Sequence, residues 1–187
     1  MVLNITQMTV EQFDEWVMLP ENIGTNYEYI GGETYDVTSN NYASETAMLI
    51  GIYLGMYVVP RRLGRITGSD GGYRVAGERY IPDVAYISYA KQPTPSEEGY
   101  NPNPPDLAVE VVSDPSSSKE RKQLSIKIAN YLLEGVIVWV MNPDDQSIEV
   151  YTPNKPVQII PATGTLTGGD LLPEFSVLVK DLFPQDG

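Results

Sequence analysis

The segment Asp106-Leu107-Ala108-Val109-Glu110-Val111-Val112 constrains the fold more than any other part of this chain. Its apolar residues do not alternate with polar ones, so an extended strand here must be covered on both faces. Such a strand belongs inside a sheet with a layer on either side, which predicts a mixed α/β architecture. Val136 to Met141 has the same character and predicts a second buried strand. The covering layers are also legible. Ser117 caps a helix that carries Leu124, Ile128, Tyr131 and Leu132 on one stripe and stops at Gly135. Residues 43–58 carry Ala47, Met48, Ile52, Leu54 and Met56, with Glu45 in the first turn as their single charge, which predicts a mostly buried helix.

The remaining elements follow from local signals. Thr9-Val10-Glu11-Gln12 has the form of a capping box and starts a short helix near 10–18, ahead of Pro20. Tyr27 to Val37 is two alternating runs around Gly31-Gly32, a β-hairpin. Asp83 to Ser88 is the most coherent strand of the Gly- and Pro-rich middle; Ser147 to Tyr151 pairs back across the turn Asn142-Pro143-Asp144-Asp145, and further strands lie near 156–160 and 175–179. A Pro-rich loop covers 91–105. With 187 residues and 42% hydrophobic composition, 1–187 reads as one domain able to bury a core.

Composition narrows the chemistry. The chain has no cysteine and no histidine. Disulfides, thiolate zinc sites, imidazole general bases and His-bound metals are therefore excluded, and any hydrolysis must rest on carboxylates, lysine and a hard cation. The net charge of −13 argues against a nucleic-acid ligand at first sight, but ten of the twelve basic residues lie in 61–127. No apolar run in the sequence stands out as a bilayer span and Met1-Val2-Leu3-Asn4 lacks a secretory pattern, so the expected location is cytoplasmic, without membrane contact.

One pair of residues concentrates the chemistry. Asp83 follows Ile81-Pro82 at the start of an apolar strand, and Glu110 sits inside another. Burying an unpaired carboxylate costs several kcal/mol, so each acid requires a compensating partner. Two acids on neighbouring strands answer that requirement by sharing a divalent cation; the other solutions are solvent at a strand end or an arginine partner.

A proline-aspartate followed one strand later by a glutamate resembles the signature of the PD-(D/E)XK nuclease superfamily. More narrowly, the chain resembles a restriction-endonuclease-like family, formally a domain of unknown function, that is expanded in cyanobacteria. The stretches that carry the likeness are Tyr27-Glu28-Tyr29-Ile30-Gly31-Gly32-Glu33, Gly71-Gly72-Tyr73-Arg74, Ile81-Pro82-Asp83-Val84-Ala85-Tyr86, Pro105 to Ser113, Lys127 through Val136, Trp139 to Pro143 and Gly169 to Pro173. Together they span about 20–183. The resemblance implies a central mixed sheet flanked by helices, with additional hairpins.

It also implies roles. Asp83, Glu110 and the backbone carbonyl of Val111 would hold Mg²⁺ or Mn²⁺ for hydrolysis of DNA phosphodiester bonds. The superfamily's lysine lies two residues after the glutamate, a position occupied here by Val112. Lys127, which opens a matching segment, is the replacement the resemblance points to. On a helix it falls about 60° from Leu124 and about 40° from Tyr131, at the border of the buried stripe. An accessory acid is expected at the start of the first long helix, where Glu45 stands; Glu28 is its rival, and the histidine common near this point in the narrower family is missing. Arg61, Arg62, Arg65, Arg74 and Arg79 are candidates for phosphate contacts, with Lys119, Arg121 and Lys122 as possible additions. A homodimer is the usual arrangement for cutting both strands. Two other readings fit the sequence: a nuclease-fold binding or assembly module without efficient chemistry, favoured by Val112 and the acidic surface, and a metal-dependent hydrolase of a small phosphate ester.

Overall fold

In the computed structural model, which describes residues 8–37 and 39–185, the expected α/β architecture is present and is built around the apolar strands. The elements run α1 (Val10–Trp16), β1 (Tyr27–Ile30), β2 (Glu33–Asp36), α2 (Asn41–Arg61), β3 (Gly64–Gly68), β4 (Gly72–Val75), β5 (Glu78–Tyr80), β6 (Val84–Ser88), β7 (Tyr100–Asn101), β8 (Leu107–Val111), α3 (Ser118–Leu133), β9 (Ile137–Asn142), β10 (Ser147–Tyr151), β11 (Gln158–Ile160), β12 (Thr165–Gly168) and β13 (Leu172–Leu178), closing with a 3-10 turn at Val179–Leu182. The N-terminal segment Met1 to Asn4, read above for a secretory pattern, lies outside the described residues.

A six-stranded sheet in the order β11-β10-β9-β8-β6-β3 forms the centre, with β8 and β9 parallel and inside it. Every residue of β8 is buried. The period of two sends Leu107, Val109 and Val111 to one face, where α2 and the C-terminal strands cover them. Ala108 and Val112 go to the other face, toward α3 and the hairpin strands. Glu110 has the parity of Ala108 and Val112, so the acid is delivered to the α3 face. A five-stranded sheet, β2-β1-β5-β4-β7, stands beside the first, and Ile81-Pro82-Asp83 links β5 of one to β6 of the other.

The helix caps match their sequence signals: Thr9 forms the complete capping box of α1, and Ser117 accepts from the Glu120 amide at the start of α3. Gly135, at φ +78°, takes the left-handed conformation that ends α3. Helix α2 departs from expectation. Ala43, Ala47, Ile50, Leu54 and Val58 are buried, but Met48 and Met56 are 64% and 68% exposed. One flank of the sheet covers a single stripe of a helix, so an apolar residue off that stripe stays in contact with solvent. At 21 residues and hydropathy 1.3, α2 also has the length and composition of a bilayer span, which corrects the sequence expectation that no segment comes near it. Its buried stripe is the one that covers β8. The strand β12 has no counterpart in the sequence reading; it is short, alternates, and pairs with β13.

Candidate active site

Strand register brings the acid pair together. In the antiparallel pairing of β6 with β8, Val84 lies opposite Val109, so one further step puts Asp83 opposite Glu110 on the same face. The Asp83 carboxylate is fastened to the neighbouring strand, its Oδ2 accepting a hydrogen bond from the Val111 amide at 2.7 Å.

Helix α3 contributes the cation. Lys127 is 5% exposed, and its Nζ donates to Glu110 Oε2 at 2.7 Å and to Glu28 Oε1 at 2.8 Å. One turn on, the Tyr131 hydroxyl donates to Glu110 Oε1 at 3.0 Å, so both Glu110 oxygens are engaged. Glu28 comes from β1, and its Oε1 also accepts the Ile81 amide at 2.6 Å. It therefore holds both the lysine and the link that carries Asp83. The ammonium lies 5.7 Å from the centre of the Tyr80 ring, and Asn130 donates to the Tyr80 hydroxyl at 2.6 Å. A cavity of about 370 Å³ opens here, lined by Glu28, Asp83, Glu110, Val111 and Lys127, with Lys119 and Glu120 further out.

The electrostatics follow from one buried ammonium paired with Glu28 and Glu110, with the Asp83 carboxylate close by. Burial pushes Asp83 up to about 6 against the pull of the Val111 amide and Lys127, with Glu28 adding to the rise. Burial likewise raises Glu110; Lys127 opposes the shift, and Glu28 and Asp83 reinforce it. Burial alone would lower Lys127, but Glu110 and Glu28 outweigh it and hold the ammonium charged. Tyr131 is raised well above the usual phenol range by burial and then by Glu110, and so remains a donor.

Among the described residues no three acids are gathered tightly enough to enclose a metal ion. The donors still fit a hard cation of the Mg²⁺ type, which is commonly held through one or two carboxylates and keeps several waters. Asp83 and Glu110 are such donors, and the site carries more carboxylate than cationic charge.

The other sequence candidates are placed elsewhere. Glu45 is exposed on α2 and lines neither cavity that Asp83 borders, whereas Glu28 stands at the centre of the cluster. Arg79 is buried and chelates Asp14 through two bonds of 2.9 and 2.6 Å. Arg65 donates to the Gln92 and Pro93 carbonyls, and Arg74 pairs with Glu98 at 2.6 Å. Arg61 lies over the Tyr57 ring, and Arg62 caps α2 with φ 53°. Lys119 lies 4.7 Å from the Tyr35 ring at the cavity edge; Arg121 and Lys122 are exposed on the first turns of α3. Val112 is buried in the apolar cluster of the α3 face. Tyr131 was legible only as one member of an apolar stripe. Its hydroxyl was the one polar atom on that stripe, and a buried tyrosine requires a partner.

No curated protein matches this sequence. Among solved structures, a crystal structure described as a putative nuclease belonging to DUF820, from Anabaena variabilis ATCC 29413, is similar with a TM-score of 0.79. The likeness covers 94% of this chain and 97% of that one at 20% identity, which bears on the fold. The family model Uma2, described as "Putative restriction endonuclease", matches residues 10–180, and the chain belongs to that family.

Proposed function

We propose that this protein is a metal-dependent endonuclease that hydrolyses DNA phosphodiester bonds at the Asp83–Glu110–Lys127 cluster. The observation that carries the reading is the convergence on one cavity of an acid before β6, an acid within β8 and a lysine from α3, with the lysine held by Glu28. Asp83, Glu110 and the Val111 carbonyl would hold Mg²⁺ or Mn²⁺. When bound, such a cation lowers the pKa of a coordinated water and offsets charge on the scissile phosphate. Lys127, kept charged by two carboxylates, stabilises the negative charge that builds on the phosphate as water adds to phosphorus and the bond to the leaving oxygen breaks. Tyr131 and Glu28 are positioning residues: one orients Glu110, the other fixes the ammonium and the Ile81 amide. A cytoplasmic homodimer is the form we expect to act on duplex DNA.

The test is incubation of the purified protein with supercoiled and linear DNA in Mg²⁺ or Mn²⁺ at low salt, beside Asp83→Ala and Lys127→Ala. Metal-dependent nicking that both substitutions abolish is the expected result. A second reading, a binding module without turnover, is favoured by the saturation of both Glu110 oxygens by Lys127 and Tyr131. Calorimetric Mg²⁺ binding without any cutting would establish that reading and remove the first.

A further inference from the structure

Asp83 borders a second cavity, of about 470 Å³, on the α2 side. Its walls include Met48, Ile52, Ile66 and Val84, and its rim carries Asn26 and Asp70. Met48 and Ile52, like Met56, are α2 residues that the sequence pattern sends to the core, and the fold leaves them 64% and 48% exposed. Gly51 keeps the space open: a Cβ there would meet Val84 Cγ2 at 3.6 Å, an ordinary contact, so any longer side chain would enter the cavity.

The rim is polarised toward acceptance. The Asn26 amide nitrogen donates to Asp70 Oδ1 at 2.7 Å and to the Ser69 carbonyl at 3.4 Å. A carboxylate can only accept, which fixes the Asn26 amide with its oxygen as the remaining group. The Asn26 side-chain oxygen Oδ1 and Asp70 Oδ2 are thus acceptors with no donor among the described residues. The Asp70 carboxylate on the rim disfavours a phosphate within this space, so its occupant is a neutral part of a ligand. Apolar walls with a few convergent polar groups, at a volume inside the roughly 300–1,000 Å³ usual for small-molecule sites, suit a flat heteroaromatic ring.

We propose that this cavity receives one nucleobase of a strand whose phosphate lies at Asp83 and Glu110, and that it favours bases with an exocyclic amino group, among them adenine and cytosine, over thymine, which has none. The proposal rests on the endonuclease reading for the class of ligand, but it is tested without metal or turnover. The base stacks against Met48 and Ile52, and its amino group donates to Asp70 and Asn26, bonds that thymine cannot make in the same way.

The test is methyl NMR of the methionines while single-stranded oligo-dA, oligo-dC, oligo-dT and an abasic strand of equal length are titrated without divalent cation. Met141, fully buried, serves as the control for an intact fold. The Met48 methyl should shift with oligo-dA and oligo-dC and stay in place with the abasic strand, and binding should be roughly tenfold weaker for oligo-dT, the worth of one charge-assisted hydrogen bond. Gly51→Leu should remove the Met48 shift while Met141 is unchanged, and Asp70→Asn should bring the strands toward parity. A Met48 methyl that ignores strands seen to bind elsewhere, or that responds equally to the abasic strand, overturns the base pocket and leaves the endonuclease standing. A Met48 shift in a protein that nicks no DNA in Mg²⁺ keeps the pocket and removes the nuclease activity. No binding of any strand without divalent cation overturns the base pocket and leaves the endonuclease, whose phosphate contact requires the cation, to the nicking assay.

Discussion

Replacing Lys127 with methionine tests the central arrangement most directly. The change keeps the length of the stem and deletes the ammonium that Glu28 and Glu110 share at 2.8 and 2.7 Å in a site only 5% exposed. Two carboxylates are then left facing each other without a cation. Breaking a buried ion pair from one side costs about 3–5 kcal/mol, compared with about 0.5 kcal/mol for an ordinary surface lysine. With a urea slope of about 2 kcal/mol per molar, the unfolding midpoint near neutral pH should fall by about 2 M. Adding Glu110→Gln to Lys127→Met should recover much of that loss, because the amide oxygen can still accept from Tyr131 while one charge is gone. Mg²⁺ should stabilise Lys127→Met more than the wild type, since both vacated acids are free to face a cation. A midpoint shift below about 0.5 M, or a double variant no more stable than Lys127→Met, would refute the shared-ammonium account.

Asp83 and Glu110 are both raised above their ordinary values of 3.8 and 4.5, Asp83 to about 6, so the folded protein keeps protons that the unfolded chain has released. Their contribution to stability is complete below about pH 4 and is lost as pH rises through the two folded values; urea midpoints across that range should decline in this window, and Mg²⁺ affinity by calorimetry should rise through it as the competing protons leave. Glu28→Gln should cut nicking by tenfold or more, on the order of 1.4 kcal/mol in the barrier, whereas Glu45→Gln should leave the rate unchanged; equal losses would restore Glu45 as the accessory acid. Arg79→Met should destabilise by about 2–3 kcal/mol through loss of the Asp14 pairing while leaving DNA affinity in filter binding at the wild-type value; a large fall in affinity would return Arg79 to the phosphate-contacting set.

The local order of this protein is written in its sequence. The run Leu107 to Val111 could only be an interior strand, and the capping residues Thr9 and Ser117, the turn at Gly31-Gly32 and the stop at Gly135 lie where their chemistry requires. The face to which Glu110 points follows from strand parity alone. Partnership across the chain was not legible in this way, because periodicity reports which face a residue occupies and says nothing of what packs against it. Glu28 reaches Lys127 across 99 positions, and Arg79 reaches Asp14 across 65. An arginine spent on a buried carboxylate has the same sequence appearance as one free to meet phosphate. Likewise Met48 and Met56 share the composition of Ile50 and Leu54, and only the docking of α2 on a single flank of the sheet separates the buried stripe from the exposed one. The sequence by itself determined the strands, the caps and the acid pair, since these depend on neighbours a few residues away. Tertiary structure decided which third carboxylate and which hydroxyl complete the cluster, since those contacts exist only once two sheets and α3 have closed on one another.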